Sequence, residues 1–346
     1  MTSRERLLCA FACGTPDRVP VAPFGPGHVD LDSELGAELI RRTDFIQSVG
    51  GAGGGYLGKA AKTTVTEDGN RTHITYHTPK GDLTQINQRT EITAATVKFP
   101  CKTADDIELL LSVPWEPEPP DPSSYLAWEE RLGDEGLTLC GFADALCNPA
   151  AFFSPEDFSL LWVDAPDAFL ELIRVSNERL REQAELCCRA GIDAFRFLGG
   201  EYASTQLGPY AYEETVTKPD REITDIMHSH GAVIYYHNHG PTMKYLELLA
   251  GVGMDACDCF EAPPWGDCDL TAAKQRIGDK ICFVGNLDDM EVIDKLPAEQ
   301  VKAIARERLA AAGNNGFVLG GTASGTYTER GARNFIAMVD VAEEMG

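Results

Sequence analysis

The sequence predicts a (β/α)8 barrel, and three observations carry that prediction. Eight short apolar runs end in glycine, asparagine, aspartate or histidine, each with the length and character of a strand buried on both faces. Amphipathic, helix-like stretches separate the later runs. No Gly-x-Gly-x-x-Gly follows the first run, and polar residues gather after several different runs, which disfavours a doubly wound open sheet.

In chain order the runs are VPVAPFG (19–25), TDFIQSVGG (43–51), GLTLCGFAD (136–144), IDAFRFLGGE (192–201), AVIYYHNHG (232–240), MDACDCFEAPP (254–264), KICFVGNLD (280–288) and GFVLGGTAS (316–324). Between the later ones lie helical patterns such as YEETVTKPDREITDIMHSHG, MKYLELLAGVG and AEQVKAIARERLAAAG, the last closing on a glycine stop. Residues 62–91 break the repeat: they alternate with period two and hold the turn signals EDGN and PKGD, so a β-hairpin or meander is inserted there. VPWEPEPPDPSS (113–124) reads as an exposed loop, and GGAGGGYLG (50–58), lacking a GK[ST] ending, as a flexible rim loop. One domain, 1–346, is expected.

Bulk properties narrow the function. The net charge of −24 repels phosphate backbones and anionic lipid, so neither nucleic acid nor a membrane is an expected partner. No apolar run approaches ~18 residues, and the N-terminus lacks a signal-peptide pattern. Eleven cysteines without a CxxC pair are expected as thiols in a reducing cytoplasm.

In a barrel, chemistry comes from the C-terminal ends of strands. Those ends supply Asp144, Glu201, His237, His239, Glu261, Asn286 and Thr322. Alternation puts His237 and His239 on one side of an extended strand, about 6.6 Å apart, so one metal or one substrate is within reach of both. The plainer alternative is a packing histidine satisfied by a backbone carbonyl. The double glycine before Glu201 allows a tight turn that presents its carboxylate at the rim. Glu213 and Glu214 open the next helix, where acids are also favoured simply by the helix dipole. Glu201, one of those two glutamates and His237 together offer oxygen and nitrogen ligands suited to zinc. Glu261, fixed by the prolines after it, is a candidate base or histidine orienter. Cys257 and Cys259 fall within a strand and read as small buried hydrophobes.

RERLLCAFACGTPDRVPV, YYHNHG, FEAPPWGDCDLTAAKQRIGDKICFVGNLD and NGFVLGGTAS together resemble the uroporphyrinogen decarboxylase superfamily, whose fold is the same barrel. Its decarboxylases carry arginines in a segment after the first strand, where this chain has APFGPGHVD and none. Its methylcobalamin:coenzyme M methyltransferases carry His-x-Cys and a late cysteine as zinc ligands. Here the first is His237-Asn-His239, and no cysteine follows Cys282. The chain looks most like the first methyltransferases of corrinoid-dependent O-demethylases.

That resemblance implies a zinc ion held by Glu201, Glu214 and His237, with Glu213 competing for the middle place. It also implies a methyl group moved from a methoxyarene to the cob(I)alamin of a corrinoid protein. His239 and Glu261 take catalytic roles in this reading, and Asn286 and Tyr202 face the cofactor. Tyr210, Tyr212 and Trp265 are further candidates for the lining. The alternatives are methyl transfer from methylcobalamin to a thiol or other acceptor, a cofactor-free lyase, and a barrel that has lost its chemistry. Whether the chain acts as a monomer or a homodimer stays open.

Overall fold

The computed structural model describes residues 1–322 and 325–346. The end of the run 316–324 therefore lies partly outside the described residues.

All eight apolar runs form parallel strands of one sheet. In the barrel these are β1 (Val21–Ala22), β2 (Phe45–Val49), β7 (Gly136–Ala143), β8 (Ala194–Leu198), β9 (Val233–Asn238), β10 (Ala256–Cys259), β11 (Cys282–Asn286) and β12 (Phe317–Gly320). Their order is β1-β12-β11-β10-β9-β8-β7-β2. A parallel bridge from Phe24 to Ile46 joins the two edges, and Gly25 N–H donates to the Ile46 carbonyl at 2.7 Å. Closure leaves no free edge at this seam.

The pleat sorts the side chains. Ala22, Ile46, Leu137, Leu139, Ala194, Tyr235, Ala256, Cys282 and Val318 face inward. Leu7, Ala10 and Phe11 of the helix Ser3–Phe11 complete this inner core from the N-terminal end, where Gly316 N–H, just ahead of β12, donates to Gly14 O. Outward-facing residues such as Phe195, Phe197 and Tyr236 pack beneath the helices. The longest helix, Pro166–Arg189, buries Phe169, Leu172, Ile173, Leu180, Ala184 and Cys187 at helical spacing.

A buried ion cluster ties the N-terminal helix to the sheet. Asp44, fully buried just before β2, meets Arg6 Nη1 at 2.6 Å and Arg18 Nη1 at 2.7 Å. It also accepts the Val21 N–H of β1.

The insertion is larger than the alternation indicated. β3 (Lys62–Asp68), β4 (Arg71–Thr78), β5 (Gly81–Arg89) and β6 (Ala94–Lys98) make a four-stranded antiparallel sheet, so it runs past residue 91. β6, with sequence AATVK, has little apolar alternation because the sheet is largely solvated. Leu83 is buried, and Tyr76 packs edge-on against Phe152 at 5.5 Å. The glycine-rich segment 50–58 is pinned rather than free. Gln183 donates to Ala52 O at 2.6 Å, Arg179 donates to Tyr56 O at 2.6 Å, and Tyr56 and Leu57 are buried.

Candidate active site at the barrel mouth

His237 and His239 come together as the alternation requires. β9 directs Tyr235 into the barrel, and His237 follows on the same side. The two imidazole centroids are 4.5 Å apart with their planes at 86°.

Each ring is held by a carboxylate. β10 lies in parallel register with β9, placing Asp258 opposite His237. The fully buried Asp258 brings Oδ1 to 2.7 Å from His237 Nδ1. Glu261, just past β10, brings Oε1 to 2.8 Å from His239 Nδ1, and its Oε2 accepts the Gly240 N–H at 2.8 Å. A neutral imidazole that donates from Nδ1 presents a lone pair at Nε2, the arrangement by which carboxylates orient metal-binding histidines. The Glu261 hydrogen bond, opposed by burial, raises the His239 pKa, and the charges of Asp258 and Glu201 add to the rise.

Cys259 joins this pair, which the sequence reading did not anticipate. Its Sγ lies 3.4 Å from His239 Nδ1 and 3.8 Å from His237 Nδ1, and its S–H donates to Thr322 O. One donor atom from each of His237, His239 and Cys259 lies within 4.8 Å of the others. Burial pushes the Cys259 thiol well above its ordinary pKa, and the charges of Asp258 and Glu261 add to this. A divalent cation reverses that balance, since a coordinating thiol is deprotonated outright. Cys259 is the last residue of β10, and alternation from the inward-facing Ala256 would turn its side chain away from the barrel interior.

Glu201 stands beside this group. Its Oε2 is buried without a hydrogen-bond partner among the described residues, and its charge bears on His239 and Asp144. The preceding glycines are required here. A Cβ on Gly199 (φ +143°) would lie 2.0 Å from Asp144 Oδ2, and one on Gly200 (φ +90°) 2.7 Å from Asn238 Oδ1. Behind them, Tyr236 Oη lies 3.2 Å from Asp144 Oδ2 and 3.1 Å from Asp220 Oδ2, and both acids are fully buried.

Other expected residues lie elsewhere. Glu214 is ion-paired with Lys218, four residues on, and lines an outer groove with Arg174 and Arg181. Glu213 lies 3.8 Å from the same lysine, its side chain half exposed. The reason is the helical phase: both begin the turn leading into the helix Lys218–Ser229, and that turn buries Thr215 and Val216 in their place. Neither glutamate is brought to His237. Tyr202 packs edge-on against Phe158 among the helices. Tyr212 is buried, its hydroxyl 3.3 Å from Asn238 Oδ1, and Tyr210 sits beside Trp162.

Asn286 and Glu261 do share a space. A cavity of about 230 Å3 opens between the ends of β10 to β12 and the helix Ala298–Ala312, and Asn286, Glu261, Thr322 and Trp265 line it. Asn286 donates to Phe260 O at 2.9 Å, and its Oδ1 is buried without a partner among the described residues.

The sequence reading also passed over Arg196. It projects from the middle of β8 with its guanidinium 4.4 Å above the Phe24 ring, and its Nε is buried without a partner among the described residues. The signal was a charge inside the apolar run AFRFL, as it was for Asp258 in ACDC.

Comparison with known proteins agrees with this architecture. Residues 129–345, more than half of the chain, match the uroporphyrinogen decarboxylase (URO-D) family. The chain belongs to the uroporphyrinogen decarboxylase family. Its fold is that of a methyltransferase from Methanosarcina mazei, with a TM-score of 0.65 over 99% of both chains at 14% identity. A B12-independent methionine synthase from Shewanella sp. W3-18-1 is similar over 83% of this chain and 75% of its own, with a TM-score of 0.45 and 10% identity. No curated protein matches the sequence. Among the described residues of this family member, no helix is long and apolar enough to cross a membrane.

Proposed function

We propose that this chain is a zinc-dependent methyltransferase that moves a methyl group from a methoxylated aromatic compound to the cob(I)alamin of a corrinoid protein. The observation that carries the reading is the meeting of His237, His239 and Cys259 at the open end of the barrel. Imidazole nitrogen and thiolate sulfur are both zinc donors, and a set of three protein ligands is what catalytic sites use to keep a fourth position open. Asp258 and Glu261 supply the outer carboxylates that such histidines need. Glu201, whose charge bears on His239 and whose Oε2 is buried without a partner among the described residues, is the further carboxylate we assign to this centre. This set keeps His237 from the one the resemblance implied and replaces Glu214, which faces the outer surface.

When bound, zinc supplies Lewis acidity toward the ether oxygen and offsets the charge of a departing phenolate, whose conjugate acid has a pKa of about 10. The protein's part is positional. His237 and His239 are fixed in tautomer and direction by their carboxylates. Cys259 adds sulfur from the neighbouring strand. The apolar wall of the adjoining cavity keeps water from competing for the methyl carbon.

A second reading, methyl transfer from methylcobalamin to a thiol, is favoured by one observation, the sulfur of Cys259 in the donor set, since soft donors suit a centre that handles thiolates. One experiment separates the two: methoxyarenes are offered to a reduced corrinoid protein and thiols to its methylated Co(III) form, each followed by cobalt absorbance. Methoxyarene-dependent methylation of cob(I)alamin that is lost on chelation supports the first reading. Methyl transfer undiminished after chelation contradicts the zinc in both readings.

A further inference from the structure

The cavity beside the triad has an apolar body and one uncommitted cation. Pro263, Pro264, Trp265, Leu287, Val292 and Ile304 line it. At about 230 Å3 it exceeds the ~150 Å3 apolar cavity that takes up benzene, so a substituted benzene ring fits. Arg308, from the helix Ala298–Ala312, also lines it.

Arg308 makes no ion pair or hydrogen bond with any described residue, and its Nε is buried without a partner. The acids along the same cavity are already engaged. Asp288 accepts the Met290 and Glu291 N–H groups, Glu291 pairs with Lys295, and Glu261 holds His239 and Gly240. A buried guanidinium nitrogen left unsatisfied is costly, and a planar carboxylate is the group its fork matches.

The cavity also abuts the triad. Glu261 is one hydrogen bond from His239, and the carbonyl of Thr322 is one hydrogen bond from Cys259 Sγ. A ring lying in the cavity is therefore anchored at one end and near the candidate metal donors at the other.

We infer that the substrate class is a methoxylated aromatic carboxylate, its ring held between the proline–tryptophan loop and Ile304 and its carboxylate bound by Arg308. This rests on the methyltransferase reading for the reaction but not for the binding, and calorimetry without a corrinoid protein tests the binding alone. The full chain is titrated with 4-methoxybenzoate and with 4-methoxybenzamide, its neutral counterpart. The acid is expected to bind at least about ten-fold tighter, as for a hydrogen bond to a charged group. Arg308→Gln should abolish that preference while leaving the amide unchanged, and Arg308→Lys should keep part of it. Ile304→Trp, which fills the cavity, should remove binding of both. Equal affinity for acid and amide in the native chain, or a preference that survives Arg308→Gln, overturns the inference. Acid-selective binding in a chain that transfers no methyl group would leave the subsite standing and remove the reaction.

Discussion

Asp258 Oδ1 lies 2.7 Å from His237 Nδ1, and the two residues face each other across adjacent parallel strands. The strand register itself thus orients the ring. Asp258→Asn can keep the shape while weakening the hold on the imidazole. Loss of such an outer partner typically costs 10–100-fold in metal affinity. Competition with a chromogenic chelator should show a fall of about that size, with the far-ultraviolet dichroism unchanged. An affinity equal to that of the native chain would remove Asp258 from the site.

The Gly199–Asp144 contact makes a steric prediction. Gly199→Ala adds a Cβ about where Asp144 Oδ2 and Cys147 Sγ already sit, at a φ of +143°. Overpacking and the unfavourable φ together should lower stability by about 2 kcal/mol or more in urea unfolding. A change under about 0.5 kcal/mol would mean that the turn relaxes freely.

The buried acids under Glu201 predict a pH dependence. One phenolic proton on Tyr236 cannot serve both Asp144 and Asp220. Burial raises both pKa values, Asp144 to about 7 and Asp220 well above the ordinary range, with the charges of Glu201 and Asp144 respectively adding. A folded pKa raised above the unfolded one gives stability that is complete below about pH 4 and is lost as pH rises through neutrality. Asp220→Asn should therefore gain stability relative to the native chain as pH goes from 5 to 8 (both values on the order of these pKa limits). Urea midpoints across that range check this, and a difference independent of pH contradicts it.

Asp44 holds two arginines in a site without solvent. Asp44→Asn leaves Arg18 without a carboxylate partner and Arg6 with Asp17 alone. Breaking a buried pair in this way should cost about 3 kcal/mol or more. Thermal unfolding would show it directly, and an unshifted midpoint would mean that water reaches the cluster.

The barrel was legible because parallel strands covered on both faces must be apolar runs, and the turn residues after them marked the reactive end. The histidine pair was legible for the same reason: period two is fixed by the pleat. Cys259 was not, since alternation from the inward-facing Ala256 turns it outward, whereas its thiol lies beside the imidazoles. Nor was the outward phase of Glu214, which depends on where a helical turn begins, a matter of one residue in the sequence and a rotation of about 100° in space. Arg308 lies on a surface helix, and nothing in its sequence context separates it from solvated neighbours such as Arg306.

The account turns on three donors sharing one ion, and cobalt substitution tests this most directly. The chain, stripped of metal and loaded with Co2+, should take up about one ion and show thiolate-to-cobalt charge-transfer absorption. Cys259→Ser should lose that absorption while His239→Ala loses most of the binding. A chain that takes up no stoichiometric cobalt, or a charge-transfer band unchanged in Cys259→Ser, would contradict it.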